Sequence, residues 1–365
     1  MQSVNFTTEN NIEKEFVSSL RKNVNQYFKT NNLSVKANTS MHIKTAVMIS
    51  LYILPFIALM VFQMPMYIAL IMVVIMGIGI AGVGMGVMHD ACHGSYSKHQ
   101  WVNDLLSGTL YLLGSNVLNW KIQHNVLHHT YTNVGGMDED IEAKGPIRLS
   151  ENSPLKKYHK YQFIYAFFFY GLMTTVVLIK DFPKLFYYNK QGLVKGQNKN
   201  LNFEFFKMVL RKFAYIVVVI GLPLLFTQFT LWQVLLGFFI MHWVASIILS
   251  FVFQMAHVVE GATQNKIEPV IQTDWAVHQL NTTSDFARHN KLLGWYIGGL
   301  NFQIEHHLFP YICHIHYPNI APIVEKTAKE FGIKYNLKES FSSAFYSHII
   351  RLKELGRFDK LTLET

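Results

Sequence analysis

Four long apolar runs, arranged as two pairs, constrain this 365-residue chain more than any other feature. Ile43 to Phe62 and Met66 to Met88 form the first pair, and Phe213 to Phe229 and Leu231 to Phe253 form the second. Hydrocarbon about 30 Å thick is crossed by roughly 20 helical residues, so such runs are read as membrane spans. Helices are the fold they require, because each backbone polar group must find its partner within its own segment. The links at Gln63-Met64-Pro65 and around Thr230 are short and uncharged. With 50% hydrophobic residues against 15% charged, one multi-span membrane domain is favoured over two soluble ones. A formal charge of +9 would suit nucleic acid, but no compact basic module interleaved with aromatics is present. Cys92 and Cys313 fit no paired spacing and read as reduced thiols.

Flanking charge sets the expected orientation. Lys14, Arg21, Lys22, Lys29 and Lys36 come before the first span, Lys44 sits at its start, and Lys207, Arg211 and Lys212 come before the third, while the tips near Pro65 and Thr230 carry no charge. The positive-inside rule turns both tips outward and leaves both termini on the cytoplasmic side. Tyr161 to Ile179 is apolar enough to cross as well, but crossing would put the histidine clusters on opposite faces. Lysines flank it at both ends, so it is expected in or against the cytoplasmic face. Trp101 to Trp120, interrupted by Asn103, Asp104 and Asn116, reads as one interfacial helix. Gly77, Gly79, Gly82, Gly84 and Gly86 on the second run allow close helix packing. The expected architecture is an all-α integral membrane protein with four transmembrane helices, interfacial helices and a cytoplasmic cap. A cytoplasmic arm is expected at 1–42, the membrane domain at 43–335 and a cytoplasmic tail at 336–365.

Histidines gather at four places on that side. Gln123 to Thr130 holds His124, His128 and His129; read as α-helix, His124 and His128 share a face and His129 points about 100° away. The second span runs into His89-Asp90-Ala91-Cys92-His93, which puts His89 and His93 one turn apart at a helix end. Asp90 can orient an imidazole or cap that helix, and the sequence leaves both open. The fourth span delivers His257. Gln303-Ile304-Glu305-His306-His307 supplies the last pair, with Gln303 a possible ligand, a hydrogen-bond partner of one, or a structural side chain. Pro310 stops that helix. His314 and His316 alternate about Ile315 and are left at the surface or behind a ligand. His42, His99, His159, His242, His278, His289 and His348 are isolated and are given no ligand role.

Eight convergent imidazoles exceed one tetrahedral zinc and match two metals with open positions. Two irons fed electrons from outside can activate O2 and take hydrogen from an unactivated CH2. At a bilayer face, that chemistry implies a lipid-like substrate lying in an apolar slot between the spans.

These residues resemble the membrane fatty acid desaturase family, whose hallmark is three histidine boxes on a four-span domain with a di-iron centre. The matching boxes are His89 to His93, HxxxHH at His124 to His129, and QxxHH at Gln303 to His307, within a likeness covering about residues 43 to 335. A glutamine opening the third box is similar to the front-end branch, which includes linoleoyl-CoA and bacterial acyl-lipid desaturases. That branch adds a double bond between an existing one and the carboxyl end, typically at the sixth or fifth carbon. The resemblance implies iron ligands at His89, His93, His124, His128, His129, His306 and His307, with His257 as the extra one. No HPGG haem-domain motif occurs, so the implied electron donor is a separate ferredoxin or b-type cytochrome. Some relatives place asparagine where this chain has Phe253. A related lipid hydroxylase or ketolase is the nearest alternative, and a metal transporter, supported mainly by His242 within the fourth run, is the alternative from another class.

Overall fold

The computed structural model describes residues 4–142 and 145–358. Among them, four helices are long and apolar enough to cross a membrane: Thr39–Val61, Met66–Cys92, Leu201–Phe226 and Leu231–His257. The first and third begin before the apolar runs that announced them, and the second and fourth continue past theirs. The third starts at Leu201 rather than Phe213, so Lys207, Arg211 and Lys212 lie inside the helix and not before it. The difference is physical: hydropathy marks where lipid begins, whereas a cap marks where a helix begins. Asn200 is that cap, its side chain accepting from Phe203 N at 3.1 Å.

Tyr161 to Ile179 is not one straight helix. Lys157–Tyr170 and Met173–Lys190 meet at 83°. Gly171 lies in the break, where a Cβ would collide with the Trp243 indole. The expected single helix from Trp101 to Trp120 is likewise corrected to three short pieces, Gln100–Ser107, Gly108–Leu113 and Val117–Trp120. Gly114 at φ +68° breaks it, a backbone setting that glycine adopts without steric cost.

By contacts the chain divides into two units. One comprises Asn38–Ile122 and Phe167–Phe251. There the second span is the most buried, and its glycines explain why. A Cβ on Gly77 would come within 2.8 Å of the Met241 carbonyl on the fourth span, and one on Gly79 within 2.7 Å of the Leu51 backbone on the first. Small residues thus let three helices close on one another where lipid supplies no hydrophobic drive.

The other unit comprises Met1–Ala37, Gln123–Ala166 and Val252–Thr365. Its N-terminal helix, Asn11–Thr30, buries Phe16, Leu20, Val24 and Phe28 at four-residue spacing. That stripe packs with Ile320, Val324 and Ala328 of Tyr317–Glu330. Truncating Phe16 to alanine would cost about 3–5 kcal/mol. Two short parallel pairs close the unit, Asn5–Phe6 with Val270–Ile271 and Asp285–Phe286 with Leu337–Lys338. Within the expected tail, Phe341–Leu355 is a helix capped by Ser340. The buried Arg148 guanidinium donates to the Leu355 carbonyl at 2.6 Å. Residues 359–365 of the expected tail lie outside the described residues.

Candidate metal centre

Lys121–His128 is a π-helical turn, and the His129 N–H donates to the His124 carbonyl, five residues back, at 3.0 Å. This corrects the α-helical reading of the cluster. The wider turn brings His124 to His129, their Nε2 atoms 3.3 Å apart, and His129 Nε2 lies 2.9 Å from His306 Nε2. His128 still stacks on His124 at 5.3 Å but joins a second group with His257 and His307. Ring centroids in that group are 4.8, 4.9 and 4.9 Å apart, and its nitrogens lie within 4.8 Å of one another.

Buried carboxylates and hydroxyls fix these rings. Asp138 Oδ2 accepts from His128 Nδ1 at 3.0 Å and from Asn133 N at 2.9 Å. Burial by itself pushes His128 down and Asp138 up, but the attraction and hydrogen bond between them outweigh it, so His128 rises and Asp138 falls. His128 Nε2 is buried and has no hydrogen-bond partner among the described residues. His307 Nδ1 donates to Gln279 Oε1 at 2.8 Å, and His306 Nδ1 lies 3.3 Å from Tyr317 OH. Asn133, held at φ +56°, donates to the His257 carbonyl at 2.9 Å and so pins the end of the fourth span. The third-box helix, Gln303–Leu308, is tied at its start by Asp285 Oδ1, which accepts from Ile304 N at 2.9 Å. Tyr335 OH meets Asp285 Oδ2 at 2.6 Å and Glu305 Oε1 at 2.9 Å, and burial pushes both carboxyls up, Glu305 furthest.

Neither His257 nitrogen makes a hydrogen bond of ordinary geometry; Gln303 and the Thr282 backbone are its polar neighbours. Phe253 packs its ring 5.1 Å from His128 and 4.8 Å from His257, an apolar wall beside both. His89 and His93 belong to the other unit, with ring centroids 4.9 Å apart and Trp120 against both at 5.6 and 6.0 Å. Asp90 there is buried, and its carbonyl accepts from Ser95 N at 2.9 Å. His314 and His316 are buried rather than superficial.

The donor set fits a metal. Nitrogens held about 2.1 Å from one ion at right to tetrahedral angles stand roughly 3.0–3.4 Å apart, close to the spacings at His129. Imidazoles with Nδ1 anchored behind them are the usual supported ligands. The sequence matches the family described as Fatty acid desaturase over residues 33–338. The chain belongs to the fatty acid desaturase family. The sn-1 linoleoyl-lipid 6-desaturase of Arthrospira platensis is 33% identical over 93% of this chain and 92% of its own length. The enzyme of the same name from Synechocystis is 32% identical over 94% and 96%. The Acyl-lipid (8-3)-desaturase of Physcomitrium patens is 32% identical over 94% of this chain and 72% of its own length. The protein is therefore a membrane-helix desaturase enzyme of lipid metabolism.

Sequence reasoning about this desaturase missed Asp138, Thr132, Gln279, Asn133 and Tyr335. Asp138 had a signal, since Asp138-Glu139-Asp140 is an acidic run starting nine residues after His129 in a chain with 23 acidic residues. The others had none, because each reaches the site from a distant or unmarked stretch.

Proposed function

We propose that this desaturase is O2-dependent and removes two hydrogens from adjacent CH2 groups of an acyl chain. The product carries a cis double bond at the sixth or fifth carbon, between an existing one and the carboxyl end. The observation that carries this reading is the three-imidazole group of His128, His257 and His307, with His128 held by Asp138 so that Nε2 is its ligating atom, beside the close Nε2 contacts of His129 with His124 and His306. The proposed ligands of two irons are His89, His93, His124, His128, His129, His257, His306 and His307, with Asp90 and Gln303 beside them. Bound there, the irons supply an oxidant that acid–base groups cannot. Asp138 keeps a proton on His128 Nδ1, Gln279 orients His307, and Phe253 shields His128 and His257 from water.

The relatives named for linoleoyl lipids and for position six support an acyl-lipid substrate and the sixth carbon. Electrons come from a separate ferredoxin or b-type cytochrome. The charged flanks support a site and termini on the cytoplasmic face.

The nearest rival, a hydroxylase or ketolase, differs in product mass. The metal-transporter reading loses its main support at His242. Its Nδ1 meets Thr174 Oγ1 at 2.8 Å and its Nε2 meets Tyr215 OH at 2.7 Å, leaving no lone pair for a passing ion. Fatty-acid methyl-ester profiling of expressing cells tests the proposal. A new double bond on the carboxyl side of an existing one is expected, and an iron-loaded protein giving no new double bond on any C16 to C20 chain would refute it.

A further inference from the structure

A small recess in the unit Asn38–Ile122 and Phe167–Phe251 is lined by two cationic side chains, Arg211 and Lys212, together with Tyr111, Gly114, Ser115, Asn116 and Met208. Arg211, in the third span, lies with its guanidinium 4.1 Å from the centre of the Tyr111 ring and donates to the Tyr111 hydroxyl. Among the described residues it has no carboxylate partner. The nearby Glu204 carboxylate is paired with Lys207 at 2.7 Å. Lys212 is aimed by Asp181 Oδ2 at 2.8 Å and the Gly114 carbonyl at 2.7 Å. Asn116 is 4% exposed and lines the recess, with its Oδ1 spent on Asn119 N at 3.0 Å. Its amide nitrogen has no acceptor among the described residues. The Ser115 hydroxyl on the same rim has no partner there either.

A flat guanidinium braced on an aromatic face has little rotamer freedom left to lose and keeps most of its five N–H donors for an incoming group. An amide donor that opens on the recess with no protein acceptor is available to an incoming oxygen. Together these groups suit an oxyanion with several acceptor oxygens, which describes a phosphate better than a single carboxylate. The recess also lies close to the chemistry. Asn116 is one helical turn, about 6 Å, ahead of Trp120, whose indole packs on His89 and His93.

We propose that Arg211, Lys212 and Asn116 bind the phosphate of the group that carries the acyl chain, and so fix how far the carboxyl end sits from the reacting carbons. This deepens the desaturase reading and rests on it. The phosphate can belong to a glycerophospholipid headgroup or to a coenzyme A thioester.

Binding of two soluble probes, dihexanoylphosphatidylglycerol and coenzyme A, to the detergent-purified, iron-loaded enzyme separates these sources. The wild type is expected to bind one probe at least tenfold more tightly than Arg211→Gln, a change that follows from losing charge-assisted hydrogen bonds. The probe showing the contrast names the carrier. Asn116→Asp keeps the oxygen that caps Asn119 but turns the recess negative, and the same loss is expected there if Arg211→Gln does not fold. Equal affinities in wild type and variant, or no binding of either probe by the folded wild type, would overturn the proposal. Equal affinities in a protein that still desaturates remove the recess and leave the enzyme reading intact, whereas a contrast in a protein that desaturates nothing does the reverse.

Discussion

One helix, Leu231–His257, carries two buried histidines with opposite bonding. His242 and His257 are each 1% exposed, so burial does not tell them apart. His242 has both nitrogens engaged, by Thr174 and Tyr215, and Thr174 also meets Ser246 Oγ at 2.7 Å. A neutral imidazole has one donor and one acceptor, and His242 has spent both in joining helices. His257 has neither nitrogen in an ordinary hydrogen bond and stands among His128 and His307. Hydrogen-bond accounting, not burial or depth in the membrane, separates the packing histidine His242 from His257, the ligand we propose.

That contrast can be broken at several points. The hardest blow falls at His128, where His128→Ala is expected to abolish desaturation and lower iron content while membrane insertion persists, read by product profiling and metal analysis of the purified protein. Asp138→Asn leaves the ring but loosens its anchor, so iron affinity should fall about 10- to 100-fold, measured by competition with a chelator. On the packing side, His242→Leu should keep iron and product but lose about 1–2 kcal/mol of stability, read from thermal unfolding in detergent, since Tyr215 and Thr174 lose their partner.

The smallest effect concerns His348, another buried histidine, whose Nδ1 lies 2.7 Å from the Val258 carbonyl. Burial pushes it down to about 4. The unfolded chain takes up a proton near pH 6.5 that the folded chain refuses until about 4, so stability falls as pH drops through that window. His348→Gln should flatten the pH dependence of thermal unfolding there by up to one proton.

The spans and boxes were legible because hydropathy and histidine spacing are local signals. What could not be read was which imidazoles come together. HxxxHH offers both a four-residue and a five-residue pairing, and the π-helical backbone at Lys121–His128 brings His124 Nε2 within 3.3 Å of His129 Nε2. The break at Gly171 was hidden for a similar reason, since it answers to Trp243, far along the chain. Caps at Asn38 and Asn200 moved helix starts into stretches that hydropathy left outside the membrane. The anchors Gln279 and Tyr335 come from segments whose local sequence carries no trace of the partner they meet.

The most direct test sets the two ends of the fourth span against each other. Iron per purified chain, measured for wild type, His257→Ala and His242→Leu, should be two, clearly reduced, and two. Full iron with full desaturation in His257→Ala, or loss of iron in a folded His242→Leu, would contradict the assignment of ligand and packing roles on which the account rests.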